Sequence, residues 1–231
     1  MKQINKIAEP QSLVQHRANQ PATYDGLPFQ TKEDLRQNLL SEQGHICCYC
    51  MKRIPQKVEK DGITSYDMKI EHYRCQYAHA ELALTYSNLF GACTGNEGMP
   101  KKLQTCDTKK GSDEFTINLL TNAPVCESLF KYNADGEMSS INDDENVNRQ
   151  INMVLNLNMQ SLKDARSEVY LQVQKEVEAE SKKYDNKQVK LSYFIREKQN
   201  WLNRIENKHR PFCMVAVYYL DKKIRQYQNL I

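Results

Sequence analysis

Apolar residues recur at helical spacing mainly in the last third of the chain. Leu191, Phe194, Ile195, Trp201, Leu202 and Ile205 mark one stripe and predict a helix over residues 187–207. Met214, Val217, Leu220 and Ile224 mark another after Pro211. Two more helices are predicted over residues 145–157 and 161–183, so this part reads as a small helical bundle whose stripes form its core. Near the start, Leu35, Leu39 and Leu40 give an apolar face to a helix over residues 32–42. Thr31 can cap it, with Asp34 three residues on, and Gly44 ends it. Residues 1–30 are polar and broken by Pro10, Pro21, Gly26 and Pro28, as in an arm with short helical pieces.

Between residues 45 and 111 the periodicity fades. Strand-like stretches at 50–54 and 66–70 flank a turn at Asp61-Gly62, and residues 80–90 read as a loop entering a short helix. A second small β element is predicted from residues 115–120 and 129–140, with Asp135-Gly136 as its hairpin signal. The expected class is α+β: an arm and helix over 1–44, a cysteine-rich core over 45–115, then a small β element and helical bundle over 116–231.

At 231 residues, 40% hydrophobic and 26% charged, the chain has the composition of an ordinary globular protein. Its net charge of +3 neither demands nor excludes a nucleic-acid partner. Short basic runs such as Lys52-Arg53, Lys101-Lys102, Lys109-Lys110 and Lys182-Lys183 read as solvated faces. The opening residues lack the apolar segment of a signal peptide, and no window approaches the roughly 18 apolar residues of a membrane span. A cytoplasmic protein without a membrane partner is therefore expected. In that reducing compartment, eight cysteines point to a metal site before a disulfide framework.

Cys47 and Cys50 form a Cys-x-x-Cys step that lets two thiolates reach one metal from one tight turn. Cys93 and Cys106 are the best second pair for a structural Zn²⁺, although the loop between them is long for such a site. Gly95, Gly98 and Pro100 would let that loop bulge out. The plainer alternative is four buried free thiols. Cys48 then points away from the metal, and Cys126 and Cys213 pack as small hydrophobes.

Between the two cysteine pairs stand Glu71 and His72, followed by Asn88, with Asp107 directly after Cys106. Metal-dependent phosphodiester hydrolysis needs a hard cation held by oxygen ligands, a base for water, and a group that orients the base. Glu71 and Asp107 suit the first role with Mg²⁺ or Mn²⁺, His72 the second, and Asn88 the third.

The ordered set 47-CCYC-50, 70-IEH-72, 88-NLFGAC-93 and 106-CDTKKG-111 resembles the zinc-braced HNH endonucleases. The resemblance implies a ββα-metal fold with a separate bracing zinc. It implies His72 as general base, Asn88 as the central Asn, and Glu71 with Asp107 as cation ligands. The opening MKQINKIAEPQSL, 39-LLSEQGHICCYC-50 and 154-VLNLNMQSLKDAR-166 are similar to one subfamily, the PtuB-like HNH proteins of retron-linked and Septu-type antiphage defence. That likeness implies an SMC-like, ABC-type ATPase partner (PtuA-like), with a retron reverse transcriptase and its msDNA as further partners. DNA is the implied substrate, with tRNA as the alternative. Three positions depart from the pattern: Asp107 stands where His or Asn is usual, Cys75 where Pro is frequent, and the second cysteine pair is stretched.

A zinc-braced binding module without catalysis is the competing reading, and a stand-alone restriction-type endonuclease a third. Tyr193, Phe194, Trp201, Tyr218 and Tyr219 serve either as a partner-docking surface or as core.

Overall fold

The computed structural model describes residues 1–19, 21–60, 63–120 and 125–230. In chain order the elements are helices α1 (Gln11–Ala18) and α2 (Phe29–Gln43), then hairpin β1 (Gln56–Lys60) and β2 (Ile63–Asp67). Strands β3 (Lys69–His72) and β4 (Leu89–Ala92) follow, then the short helix α3 (Cys106–Lys110) and hairpin β5 (Phe130–Tyr132) and β6 (Met138–Ser140). Helices α4 (Glu145–Arg149), α5 (Gln160–Ser181), α6 (Lys187–Leu202) and α7 (Cys213–Gln228) complete the fold. The strands pair antiparallel in three two-stranded sheets among the described residues, β1 with β2, β3 with β4 and β5 with β6. The mixed helix-and-strand class agrees with expectation.

The bundle forms where its stripes predict. Phe194 and Trp201 on α6 meet Val217 and Leu220 on α7 as one buried core. Ile195 falls off that stripe and is 49% exposed, and α6 ends at Leu202, short of the expected 207, so Ile205 is 57% exposed in a turn bridged to Lys208. Tyr193, Phe194, Trp201 and Tyr219 are buried, so these aromatics are core and not an open docking face. Helix α4 does not continue smoothly to residue 157. It passes into a π turn over Gln150–Val154. The second hairpin turns at Asp135-Gly136 as expected. Gly136 has φ +80°, and a Cβ there would lie 1.8 Å from the Lys163 carbonyl oxygen. Residues 115–120 form no strand; Ile4 makes one isolated bridge to Leu120.

Three local expectations fail for local reasons. Helix α2 starts at Phe29, two residues before Thr31: Pro28 occupies its N-cap position, and Thr31 is buried inside the helix. Its end is as read, with Gly44 left-handed at φ 58°. Residues 50–54 are not a strand, because Met51 takes a left-handed φ of 64° and its amide turns back to the Cys47 carbonyl at 3.0 Å. The first hairpin therefore lies further along, and the expected turn at Asp61-Gly62 falls outside the described residues. The opening residues are also no free arm, since Met1, Ile4 and Leu13 are buried in the core. No helix of the described residues is long and apolar enough to cross a membrane.

Candidate metal centre and active site

The cysteine centre is built from three elements. The turn after α2 supplies Cys47 and Cys50, the end of β4 leads into Cys93, and α3 begins with Cys106. Gln43, the last residue of α2, fixes the turn to β4. Its side chain donates to the Ile46 and Gly91 carbonyls at 2.9 and 2.8 Å and accepts from the Gly91 amide at 2.7 Å. The long loop between Cys93 and Cys106 closes on itself. The Thr105 amide donates to the Gly95 carbonyl at 2.9 Å. A Cβ on Gly95 would lie 2.2 Å from the Thr105 oxygen, so glycine is required at this crossing. Thr108 Oγ1 donates to the Thr94 carbonyl at 2.8 Å.

The result is four buried sulfurs all within 4.8 Å of one another. Cys47 and Cys106 lie 3.9 Å apart, and Cys50 and Cys93 3.8 Å. A tetrahedron of Zn–S bonds of about 2.3 Å has S···S edges of about 3.8 Å, so the donor set fits a zinc ion. Burial opposes ionisation of Cys47, but hydrogen bonds from Cys106, Cys48, Cys50 and Cys93 hold its thiol well below the usual range. Cys48 is buried beside the cluster and burial pushes its pKa up. Cys75 lies outside the cluster; Cys126 and Cys213 are fully buried in the core, as expected.

One turn residue links this centre to the carboxylates. Tyr49 is fully buried and donates its hydroxyl to Glu71 Oε1 at 2.7 Å. Lys110 Nζ reaches the same oxygen at 2.7 Å and the His72 carbonyl at 3.0 Å. The side chains of this ion pair are only 1% and 2% exposed. Lys110 is therefore no part of a solvated basic run. Asp107, one turn before it on α3, comes within hydrogen-bonding reach of Glu71. Burial and then the Asp107 carboxylate push the Glu71 pKa well above the ordinary range, with Lys110 opposing them. Lys69 Nζ lies 3.5 Å from Asp107 Oδ2 and 2.9 Å from Glu97 Oε1.

His72 ends β3 opposite Leu89 and is half-buried. Its Nε2 sits 3.0 Å from the Ala83 carbonyl oxygen, which can only accept, so Nε2 carries the proton and Nδ1 is the basic nitrogen. The Tyr24 ring packs edge-on against the imidazole at 4.4 Å. Burial lowers the His72 pKa, so the ring is neutral at pH 7.

Asn88 does not touch His72 in the way expected of an orienting group. It is buried, accepts from the Arg74 amide at 2.7 Å and donates to the carbonyls of Arg74 and Leu82 at 3.1 and 3.2 Å. It thus ties down the loop between β3 and β4, and that loop carries the Ala83 carbonyl. Asn88 is one contact removed from the imidazole. Sequence reasoning missed Ala83, Tyr49 and Lys110 as site residues. The first acts through backbone and leaves no mark in the sequence. Lys110 could have been found, because Asp107 and Lys110 are three apart and share a helix face.

The chain is similar to two curated proteins. One, from Escherichia coli, is named "Retron Ec83 putative HNH endonuclease" and is 30% identical over 137 residues, 51% of this chain and 50% of that protein. The other, from Vibrio cholerae serotype O1 biovar El Tor, is named "Retron Vc95 putative HNH endonuclease" and is 32% identical over 108 residues, 46% of each. The chain spans about half the length of the curated relatives it matches. No family model matches the chain.

Proposed function

We propose that the chain is a metal-dependent HNH endonuclease that hydrolyses phosphodiester bonds in nucleic acid. The observation that carries this reading is the juxtaposition of two electrostatically interacting carboxylates, Glu71 and Asp107, with a neutral, carbonyl-oriented histidine next along the strand. The names of the two relatives support it. In this reading β3, β4 and α3 are the ββα-metal core, and Cys47, Cys50, Cys93 and Cys106 hold a bracing zinc. Glu71 and Asp107 would hold Mg²⁺ or Mn²⁺, which when bound polarises the scissile phosphate and neutralises developing charge. Tyr49 and Lys110 fix Glu71 by Oε1, so Oε2 and the Asp107 carboxylate, which Lys69 approaches at Oδ2, would be the donors to the cation. His72 removes a proton from water at Nδ1, while Ala83 holds Nε2–H and stabilises the cationic ring that results. Asn88 keeps the Ala83 loop in place.

The resemblance of residues 1–13, 39–50 and 154–166 to PtuB-like proteins motivates the wider assignment, an effector in retron-linked or Septu-type antiphage defence, in the cytoplasm, controlled by an SMC-like ATPase. The test is cleavage of DNA and tRNA by the zinc-loaded chain, alone and with its co-expressed neighbours, in Mg²⁺ or Mn²⁺. His72→Ala is expected to slow cleavage by about 10²–10⁴-fold with zinc content and melting temperature unchanged. Equal cleavage by this variant overturns the mechanism.

A second reading keeps the fold and drops the chemistry. It is favoured by Lys110, an ammonium already neutralising Glu71. In a non-catalytic binding module, His72→Ala and Asp107→Asn leave cellular function intact, whereas Cys47→Ser and Cys93→Ser abolish it.

A further inference from the structure

A cleft of about 870 Å³, within the 300–1,000 Å³ or so typical of ligand sites, lies one residue layer from His72, which is not itself part of its lining. Tyr24 and Ala83, which both touch the imidazole, form part of its lining. Tyr77 also lines it and is 93% exposed. The turn beneath Tyr77 is firm: the amides of Ala78 and His79 both donate to the Cys75 carbonyl, at 3.2 and 2.9 Å. A phenol held out on a fixed turn beside a candidate catalytic histidine needs an explanation, since its exposed ring buries no apolar area in the fold.

The charges in the cleft limit what it can hold. Asp25 and Glu81 line it. Arg17 does too, but its guanidinium is engaged by Glu9 at 2.6 Å and the Leu84 carbonyl at 3.1 Å. A phosphate track needs cations facing the backbone, and two carboxylates oppose one. Carboxylates suit instead the amino groups on a nucleobase edge, and an exposed aromatic ring suits its face.

We propose that this cleft is a nucleobase subsite. It takes an unpaired base next to the phosphate presented to His72, with Tyr77 stacked on that base. The inference rests on the nuclease reading and gives it a substrate class: single-stranded or locally unpaired nucleic acid, whether DNA or RNA. A base in an intact duplex cannot enter without leaving its stack.

The test is binding of oligonucleotides containing 2-aminopurine, followed by fluorescence, with the zinc-loaded full chain carrying His72→Ala or with the wild type in Ca²⁺. Single-stranded DNA, single-stranded RNA and the matching perfect duplex are compared. The single strands are expected to bind at least tenfold more tightly than the duplex and to be quenched on binding. The tighter of the two single strands identifies the source of the base. Tyr77→Ala is expected to weaken binding about five- to a hundredfold, the loss of one base stack, and Tyr77→Trp to restore it. Unchanged affinity in Tyr77→Ala, or preference for the duplex, overturns the subsite. Cleavage that ignores both Tyr77 and strand pairing removes the subsite and leaves the nuclease. Tyr77-dependent binding of single strands without cleavage in any metal leaves the subsite and removes the nuclease.

Discussion

The stretch from residue 45 to 111 and the helices α5 to α7 hold their shape by different means. In the helices the buried positions are an apolar stripe, with Val173, Phe194, Val217 and Leu220 typical of it. A buried polar group there, such as Arg166, is satisfied by the Gly136 and Leu157 carbonyls and serves only to staple elements together. In the cysteine-rich stretch the buried set includes Glu71, Asn88, Thr105 and Lys110 beside four clustered thiols. Burying such groups costs free energy unless each is paired. Hydrophobic burial makes the bundle stable but is non-directional. Bonds to sulfur and oxygen fix the atoms of the site to fractions of an ångström, and the bundle supplies the stability they lack.

The sharpest way to break the contrast is to remove the metal. Cys106→Ser, or a strong chelator, is expected to abolish zinc binding, which in isolated zinc-finger peptides supplies about 10–16 kcal/mol. Amide protection should then collapse in β3 and β4 and largely persist in α6 and α7, read by hydrogen exchange. Simultaneous loss in both regions would mean that they form one cooperative unit.

This contrast also decides what was legible beforehand. The bundle was readable because a 3.6-residue period is a property of the sequence itself, and its errors are Ile195, which lies off the core face, and Ile205, which lies past the end of α6. The four cysteines were readable because metal geometry constrains spacing, even across the loop closed at Gly95. The knuckle backbone was not, since a left-handed Met51 carries no turn residue to announce it. The links Tyr49–Glu71 and Lys110–Glu71 join residues 22 and 39 positions apart. Such contacts are a product of folding, and no local pattern encodes them.

Two substitutions of similar size test the two modes of support. Phe194→Ala removes a ring that is 1% exposed and packs against Tyr193 and Tyr227. It is expected to cost about 3–5 kcal/mol in urea unfolding. Lys110→Met breaks the buried ion pair and leaves Glu71 and Asp107 crowded without compensation, at a cost also of about 3–5 kcal/mol. The discriminating step is a second change. Adding Glu71→Gln should recover part of the loss in Lys110→Met and none in Phe194→Ala. Additive costs throughout would show that Lys110 supports the fold by packing alone.

The smallest effect lies at the seam between the two regions. His209 is buried against Gly44, where a Cβ would come within 2.5 Å of its ring. Arg204 Nε donates to His209 Nε2 at 3.2 Å, so that nitrogen must accept and the ring is neutral. Burial, then Lys2, Arg204 and Arg53, lower its pKa to about 4. The unfolded chain, with a histidine pKa of about 6.5, binds a proton in the window between these values and the native protein does not. Stability from His209 is therefore complete above pH 6.5, falls as the pH drops toward 4, and falls no further below that. The full loss is about 3 kcal/mol. His72 and His45 shift in the same direction and add to the acid sensitivity. His209→Gln keeps a polar side chain and removes this titration, so it should flatten the stability profile between pH 7 and pH 4 by that amount. An unchanged slope would place the acid sensitivity in the cysteine-rich stretch, at His72 or in the thiols that must be deprotonated to hold zinc.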